Sequence, residues 1–287
     1  MNSTIDHRDL RLRFVTPEAV LLHEETDPAR VSRLRSSLEG ELVLRNPPIA
    51  AAMPDGRYVV LDGATRTTAL RELQVRHIPV QVVPYLEPET RLEAWYHVLP
   101  DAAADQARAY VEHHASIVTR VDVETAREAL NARQATAALV ESDGQALLLT
   151  LHTDHAWIKS SAEPESAAGI LRGLVGTYGG AGEIYRIVHT DLVDIVQRED
   201  HCPCVVMFPT FTPDEIMGVA SHQDLLPAGI TRHLISGRVL NMNMDLDVLR
   251  RDQPLNEKNQ WMRDWLTAKI LAKKVRYYHE PVFIFDD

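Results

Sequence analysis

An α/β (α+β) fold in two domains is predicted by three features of this 287-residue chain. In the first hundred residues short β-branched runs alternate with one-faced helical segments. From about Asp101 the texture changes to Ala-, Glu- and Arg-rich helical sequence, which marks a boundary. Beyond it, further apolar runs and helices follow without an internal repeat. The division expected is therefore 1–100 and 101–287, and each part is long enough to bury a core.

The elements follow in order. Asp27-Pro28 opens a helix, with a capping side chain before a proline at the first helical position. Val31, Leu34 and Leu38 then recur at helical spacing. After Asn46-Pro47-Pro48, the runs Ile49–Ala52 and Tyr58–Leu61 flank Pro54-Asp55-Gly56, which reads as two strands joined by a turn. A helix from about Thr65 to Leu73 buries Ala69, Leu70 and Leu73, and Ile78–Val83 is a further strand. In the second part helices are expected near 104–118, 122–134, 165–176, 213–222 and 257–275. A hairpin is expected from Thr136–Glu141 and Gln145–Leu151, with strands at Ile184–His189, Val205–Phe208 and Val282–Phe285.

Composition excludes several functions. Thirty Lys+Arg against 41 Asp+Glu give a net charge of −11, which opposes general attraction to nucleic acid or anionic membranes. No run approaches the eighteen or so apolar residues of a membrane span, and MNSTIDHRDL is no secretory leader, so a cytoplasmic protein is expected. Cys202 and Cys204 are too few for a disulfide framework and are expected as free thiols.

Most motif-like runs carry little. His7-Arg8-Asp9-Leu10 has the letters of a protein-kinase catalytic loop, but seven residues cannot hold the parts that must precede it. No P-loop occurs, and Gly176–Gly182 leads into a strand and reads as a connecting loop. His113-His114 and His152…His155 lack a third metal ligand and read as solvated or locally bonded histidines.

The informative run is Val59–Arg66, a strand passing through Gly63 into a helix. A helix N-terminus offers unpaired N–H groups and a partial positive charge, so it holds anions. Gly63 allows close backbone approach, Thr65 adds a hydroxyl, and Arg66 offers a guanidinium fork for phosphate. Asp62, at the strand's end, needs a hydroxyl or a cation such as Mg²⁺ to face an anion there. A helix cap with a surface arginine fits the same letters.

Leu22-His23-Glu24-Glu25…Pro28-Ala29-Arg30, Asn46-Pro47-Pro48-Ile49, Asp55–Arg66, Ala69-Leu70 and Ile78-Pro79-Val80 together resemble the N-terminal domain shared by ParB partition proteins and sulfiredoxin. The His-Glu pair, Trp95-Tyr96, and Leu226–His233 extend that likeness to the free serine kinases. These include archaeal ADP-dependent enzymes and the ATP-dependent L-serine kinase of the staphyloferrin B siderophore pathway. Arg238–Asn243 and the ending Tyr277–Asp286 look closer to the siderophore branch.

The resemblance implies a ParB/sulfiredoxin-like nucleotide-binding domain plus a second α/β domain, with the active site in the cleft between them. It implies phosphorylation of free L-serine by ATP or ADP with Mg²⁺. By motif, Glu24 matches the general base, and Asp62 the acidic residue that orients the hydroxyl or the metal. Gly63, Ala64, Thr65 and Arg66 match the nucleotide segment, and Trp95, Thr231, Arg232 and His233 the substrate region. Phosphoryl transfer needs mainly positioning and charge stabilisation, so this set is chemically sufficient.

Two departures stand out. Many members carry histidines where this chain has Ala64-Thr65, which leaves ATP versus ADP open. The archaeal enzymes place a lysine just before Thr-Arg-His, where this chain has Gly229-Ile230. The alternative is a ParB-like nucleotide-binding regulator of DNA or transcription. That reading needs a basic helix-turn-helix, whereas segment 104–134 carries Asp105, Glu112, Asp122, Glu124 and Glu128. Sulfiredoxin-like chemistry needs a reactive cysteine beside the phosphate motif, and the sequence puts none there.

Overall fold

A computed structural model of the chain describes residues 10–86, 90–114, 117–150, 166–179, 184–198 and 204–277. His152, His155, Cys202, Gly180–Gly182 and the final strand expected at Val282–Phe285 lie outside the described residues. The architecture is mixed α/β, in two compact units. The first comprises Met1–Val20, Thr26–Thr90 and Ile235–Asp287, and the second Leu21–Glu25 and Arg91–Leu234.

The first unit is built on a five-stranded sheet in the order Arg11–Val15, Ile78–Val82, Ile49–Ala52, Tyr58–Asp62, Val20–Leu21. Ile49–Ala52 and Tyr58–Asp62 are antiparallel, joined by the expected turn with Gly56 at φ +85°. Ile49–Ala52 pairs in parallel with Ile78–Val82. Two helices, Pro28–Glu41 and Ala64–Glu72, pack on each other. The first starts as its letters predict: Asp27 accepts hydrogen bonds from the Ala29 and Arg30 amides, ahead of Pro28. Val31 and Leu38 are buried from it, and Ala69 and Leu70 from the second, while Leu73 is half-buried.

Residues from Ile235 onward fold with this unit and not with residues 101–234. Two contacts account for that. Met244–Asp245 pairs with Val43–Leu44, and the helix Leu255–Leu271 packs along Arg11–Val15, an outer strand of the sheet. Asn259 of that helix accepts from the Phe14 N–H at 2.8 Å and donates to the Phe14 carbonyl at 3.0 Å, covering polar groups that an edge strand leaves open.

The second unit carries a six-stranded antiparallel sheet, ordered Tyr185–Ile187, Tyr96–Leu99, Cys204–Met207, Ala137–Val140, Gln145–Thr150, Ile117–Asp122. Its inner strands Tyr96–Leu99, Cys204–Met207 and Ala137–Val140 are buried at every position. Helices Asp101–His114 and Ala167–Tyr178 pack together beside it. Pro213–His222 starts with a capping box in which Thr212 and Glu215 satisfy each other's backbone.

Some elements differ from expectation. The helix expected to 118 ends at His114, and Ile117–Asp122 is a strand, since β-branched Ile117, Val118, Thr119 and Val121 favour a pleated edge. The strand expected over Ile184–His189 is only Tyr185–Ile187, and His189 begins a helix to Arg198. Gly176-Thr177-Tyr178 closes a helix instead of forming a loop. Among the described residues no helix is long and apolar enough to cross a membrane.

Candidate active site

Within the second unit, Glu24 is the centre of a closed hydrogen-bond arrangement. His23–Glu25 and Leu226 form a short parallel bridge: Leu226 N–H donates to the His23 carbonyl at 2.8 Å, and Glu25 N–H to the Leu226 carbonyl at 2.8 Å. The chain then turns through Pro227-Ala228-Gly229 and presents its amides to the Glu24 carboxylate. Gly229 N–H donates to Oε2 at 3.0 Å, Thr231 N–H to Oε1 at 2.8 Å, and the Thr231 hydroxyl to Oε1 at 2.5 Å. An ionised carboxylate has about four lone-pair sites, so three donors leave one for a substrate proton.

Two histidines support this arrangement. His23 Nε2 lies 2.9 Å from the Thr231 hydroxyl, whose single proton goes to Glu24, so Nε2 is the donor. The buried His233 ring meets the His23 ring edge-on at 5.2 Å. On the other side, His97 Nε2 donates to the Gly229 carbonyl at 3.0 Å, and its Nδ1 accepts from the Tyr178 hydroxyl at 3.1 Å. Burial pulls the His97 pKa down to about 4 and raises that of Tyr178, so both stay neutral in this pairing. The Gly229 peptide is thus held at its carbonyl by His97 and bound at its N–H to Glu24.

Gly229 is itself required. Its φ of +80° is in the left-handed region, and a Cβ there would lie 1.9 Å from Nη2 of Arg186. Where archaeal relatives are expected to place a lysine, this chain brings an arginine from strand Tyr185–Ile187 against the glycine.

Thr231–Ile235 is a strand paired with Thr90–Ala94, and strand alternation sorts the Thr-Arg-His segment. Thr231 and His233 are buried toward His23, while Arg232 projects the other way. Arg232 pairs with Glu93 at 2.6 Å and lies over the Trp95 ring with its guanidinium carbon 4.7 Å from the centroid. Arg232 and Trp95 therefore form a pair of their own.

The first unit holds the phosphate-type motif. Gly63, at φ +94°, precedes the helix Ala64–Glu72, and no side chain caps that helix's first turn. Its leading amides, with Ala64 and half-buried Thr65, match an anion cradle. Arg66 is more engaged than a surface arginine. Its Nη1 donates to the Asn46 and Pro47 carbonyls at 3.2 and 2.9 Å, and its Nη2 to Asp62 Oδ2 at 3.1 Å. Arg238 Nη1 donates to the same Oδ2 at 2.6 Å.

Against Mg²⁺, the donor set is sparse but suitable. Both guanidinium contacts use Oδ2 of Asp62, which leaves Oδ1 as a carboxylate oxygen that neither takes. One carboxylate with substrate phosphates and water is an ordinary Mg²⁺ environment. Among the described residues no three His, Cys, Asp or Glu side chains gather as a metal site. His113 and His114 end a helix, with His114 stacked on Tyr110 and bonded to its carbonyl.

No family model matches the chain. The ATP-dependent L-serine kinase SbnI of Staphylococcus aureus is 26% identical over 282 residues, covering 98% of this chain and 100% of that protein. The chain is similar to an L-serine kinase along nearly its whole length. An ATP-dependent L-serine kinase of Staphylothermus marinus is 31% identical over 84 residues, 29% of this chain and 33% of the relative. The structure of C-terminally truncated SbnI from S. aureus superposes with a TM-score of 0.68 at 25% identity, covering 96% of this chain and 99% of that one. A free serine kinase in complex with AMP shares the fold, with a TM-score of 0.65 at 16% identity over 84% of this chain and 93% of that one.

Of the residues expected from the sequence, the structure gathers Glu24, Thr231 and His233 in one cluster, Arg232 with Trp95 in another, and Asp62 with Arg66 beside Gly63. Glu25, adjacent in sequence to Glu24, is exposed and joins the bridge through its backbone. Sequence reasoning missed His97, Arg186 and the role of Arg238, which reach these clusters from distant segments. Gly229 before Thr-Arg-His was the one local signal available.

Proposed function

We propose that this protein phosphorylates free L-serine, giving O-phospho-L-serine, with ATP as the donor. The observation that carries the reading is a likeness to an L-serine kinase along 98% of the chain, joined to a Glu24 carboxylate held by three donors.

In this reading the serine hydroxyl oxygen forms a bond to the terminal phosphorus, the bond to the leaving nucleotide oxygen breaks, and the hydroxyl proton passes to Glu24. The Gly229 and Thr231 amides keep the carboxylate aimed. The helix terminus after Gly63, with Thr65 and Arg66, holds the phosphates, and Asp62 orients the attacking hydroxyl or a metal. Mg²⁺, held by nucleotide phosphates and Asp62 Oδ1, would supply charge neutralisation of the transferring group. By resemblance Trp95 and Arg232 contact the serine, while Thr231 and His233 support Glu24 from the buried side. The reaction would run in the cytoplasm, with siderophore assembly as the outlet that the C-terminal resemblance implies.

A ParB-like regulator is not favoured. A strand, Ile117–Asp122, separates the two helices that a helix-turn-helix would need to join, and Asp105, Glu112, Asp122, Glu124 and Glu128 in segment 104–134 oppose phosphate contacts. The test is a matrix of ATP and ADP against L-serine, L-threonine and L-homoserine with Mg²⁺, read as phosphoamino acid. O-phosphoserine from ATP supports the reading, and absence of phosphoserine with either nucleotide overturns it.

A further inference from the structure

Strand Tyr96–Leu99 is buried at every position, yet it carries His97, and the buried last residue of helix Ala167–Tyr178 meets that histidine with its hydroxyl. A Leu–Phe pair would fill the same space with no polar group to desolvate. We propose that His97 and Tyr178 are positioning residues for Glu24, fixing its carboxylate through Gly229 without a hydrogen bond to it. The proposal rests on the kinase reading above and deepens it, naming residues outside the His-Glu and Thr-Arg-His motifs on which turnover depends.

Three features support it. The first is the direction of the hydrogen bonds. A carbonyl only accepts, so His97 Nε2, 3.0 Å from the Gly229 oxygen, carries the proton. The ring is neutral, since burial pulls its pKa down to about 4, and its Nδ1 takes the proton of the Tyr178 hydroxyl at 3.1 Å. Tyr178 therefore selects the tautomer. The other tautomer would set a lone pair against the Gly229 carbonyl.

The second is rigidity. His97 stands in register with Arg186 on one side and Val206 on the other, and Phe208 packs against its ring at 5.0 Å. A ring held in this way gives Gly229 a fixed point. Gly229 needs one, because glycine has the widest backbone freedom of any residue.

The third is what the held segment presents. Gly229, tied at its carbonyl, gives its N–H to Glu24 Oε2 at 3.0 Å. The next carbonyl, that of Ile230, accepts from the Trp95 N–H at 3.0 Å, and the N–H of the same peptide group, on Thr231, reaches Glu24 Oε1 at 2.8 Å. A planar trans peptide held at its oxygen has its N–H aimed. Ahead of the turn, Arg172 Nη1 donates to Asp224 Oδ1 at 2.8 Å and to the Leu225 carbonyl. One helix, Ala167–Tyr178, thus steadies segment 224–229 at its start through Arg172 and at its end through Tyr178 and His97.

The experiment measures single-turnover phosphoserine formation by the full-length protein, with amide exchange at Gly229 and Thr231 read by NMR. Losing one neutral hydrogen bond is worth roughly 2- to 10-fold, so Tyr178→Phe should slow the chemical step by that factor and speed exchange of both amides. ATP affinity and the KM for serine should stay within about twofold. His97→Leu should lose more than Tyr178→Phe, and His97→Gln, whose amide can donate to Gly229, should recover part of it. Because the effect runs through the carboxylate, Tyr178→Phe should cause no further loss when added to Glu24→Gln, whereas general damage to the fold would lower both rates alike. Equal losses in the two backgrounds overturn the proposal. Wild-type exchange at Gly229 and Thr231 in Tyr178→Phe overturns it too. If His97→Leu does not fold, Tyr178→Phe and His97→Gln still decide the question. If wild type makes no phosphoserine, the kinase reading fails, while the exchange rates still tell whether His97 and Tyr178 hold the donors of Glu24.

Discussion

Replacing Thr231 with valine tests whether the donors around Glu24 matter for turnover. Valine keeps the branched shape and the backbone N–H, and deletes the hydroxyl that lies 2.5 Å from Glu24 Oε1 and 2.9 Å from His23 Nε2. A hydrogen bond to a charged group contributes about 1.5–3 kcal/mol. At about 1.4 kcal/mol per tenfold, a carboxylate that loses one of its three holders should lose roughly 10- to 100-fold in kcat. The KM for ATP should be unchanged, because that hydroxyl does not belong to the Gly63 segment. His23, 4% exposed, also loses this partner, which adds about 1–3 kcal/mol of destabilisation. At about 2–4 °C per kcal/mol for a chain of this size, the melting temperature should fall by roughly 2–12 °C. The assay is steady-state phosphoserine formation beside a thermal melt. A Thr231→Val protein with wild-type kcat would refute the claim that this hydroxyl aims the base.

Two more predictions follow from the same cluster. Gly229→Ala forces an L-residue to φ +80° with its Cβ against Arg186, so it should cost about 1–2 kcal/mol of stability and lower kcat by shifting the N–H from Glu24; a melt and a rate measurement check it. His97 has a folded pKa of about 4 against an ordinary 6.5, so below pH 6.5 the unfolded chain binds a proton that the folded one refuses. Its contribution is intact above pH 6.5 and is lost as pH falls toward 4, by up to roughly 3 kcal/mol, and denaturant titrations at pH 7 and 5 should show a slope that His97→Gln flattens.

What the sequence reveals here is what local chemistry decides. Asp27-Pro28, Pro54-Asp55-Gly56 and Gly63 set their cap, turn and helix start within a few residues, and each is found where its letters place it. The strand Ile117–Asp122 takes in the end of the helix expected near 104–118 and the start of the one expected near 122–134, because the helical pattern on either side masks its four β-branched residues. The division of the chain depends on long-range packing: nothing near Leu255 states that its helix covers the strand Arg11–Val15. In the candidate site, Glu24 and Thr231 were legible as letters, but the fact that Arg232 faces away from them follows only from Thr231–Ile235 being a strand. His97 and Arg238 act through contacts 132 and 176 residues apart, which no local pattern announces.

The central claim is that Glu24 is the base for phosphoryl transfer to serine. The most direct measurement is single-turnover formation of O-phosphoserine by Glu24→Gln, a change that keeps side-chain shape and removes the negative charge. The account predicts a rate lowered by roughly 10²–10⁴ with ATP binding retained. A Glu24→Gln rate within a few-fold of wild type would contradict it.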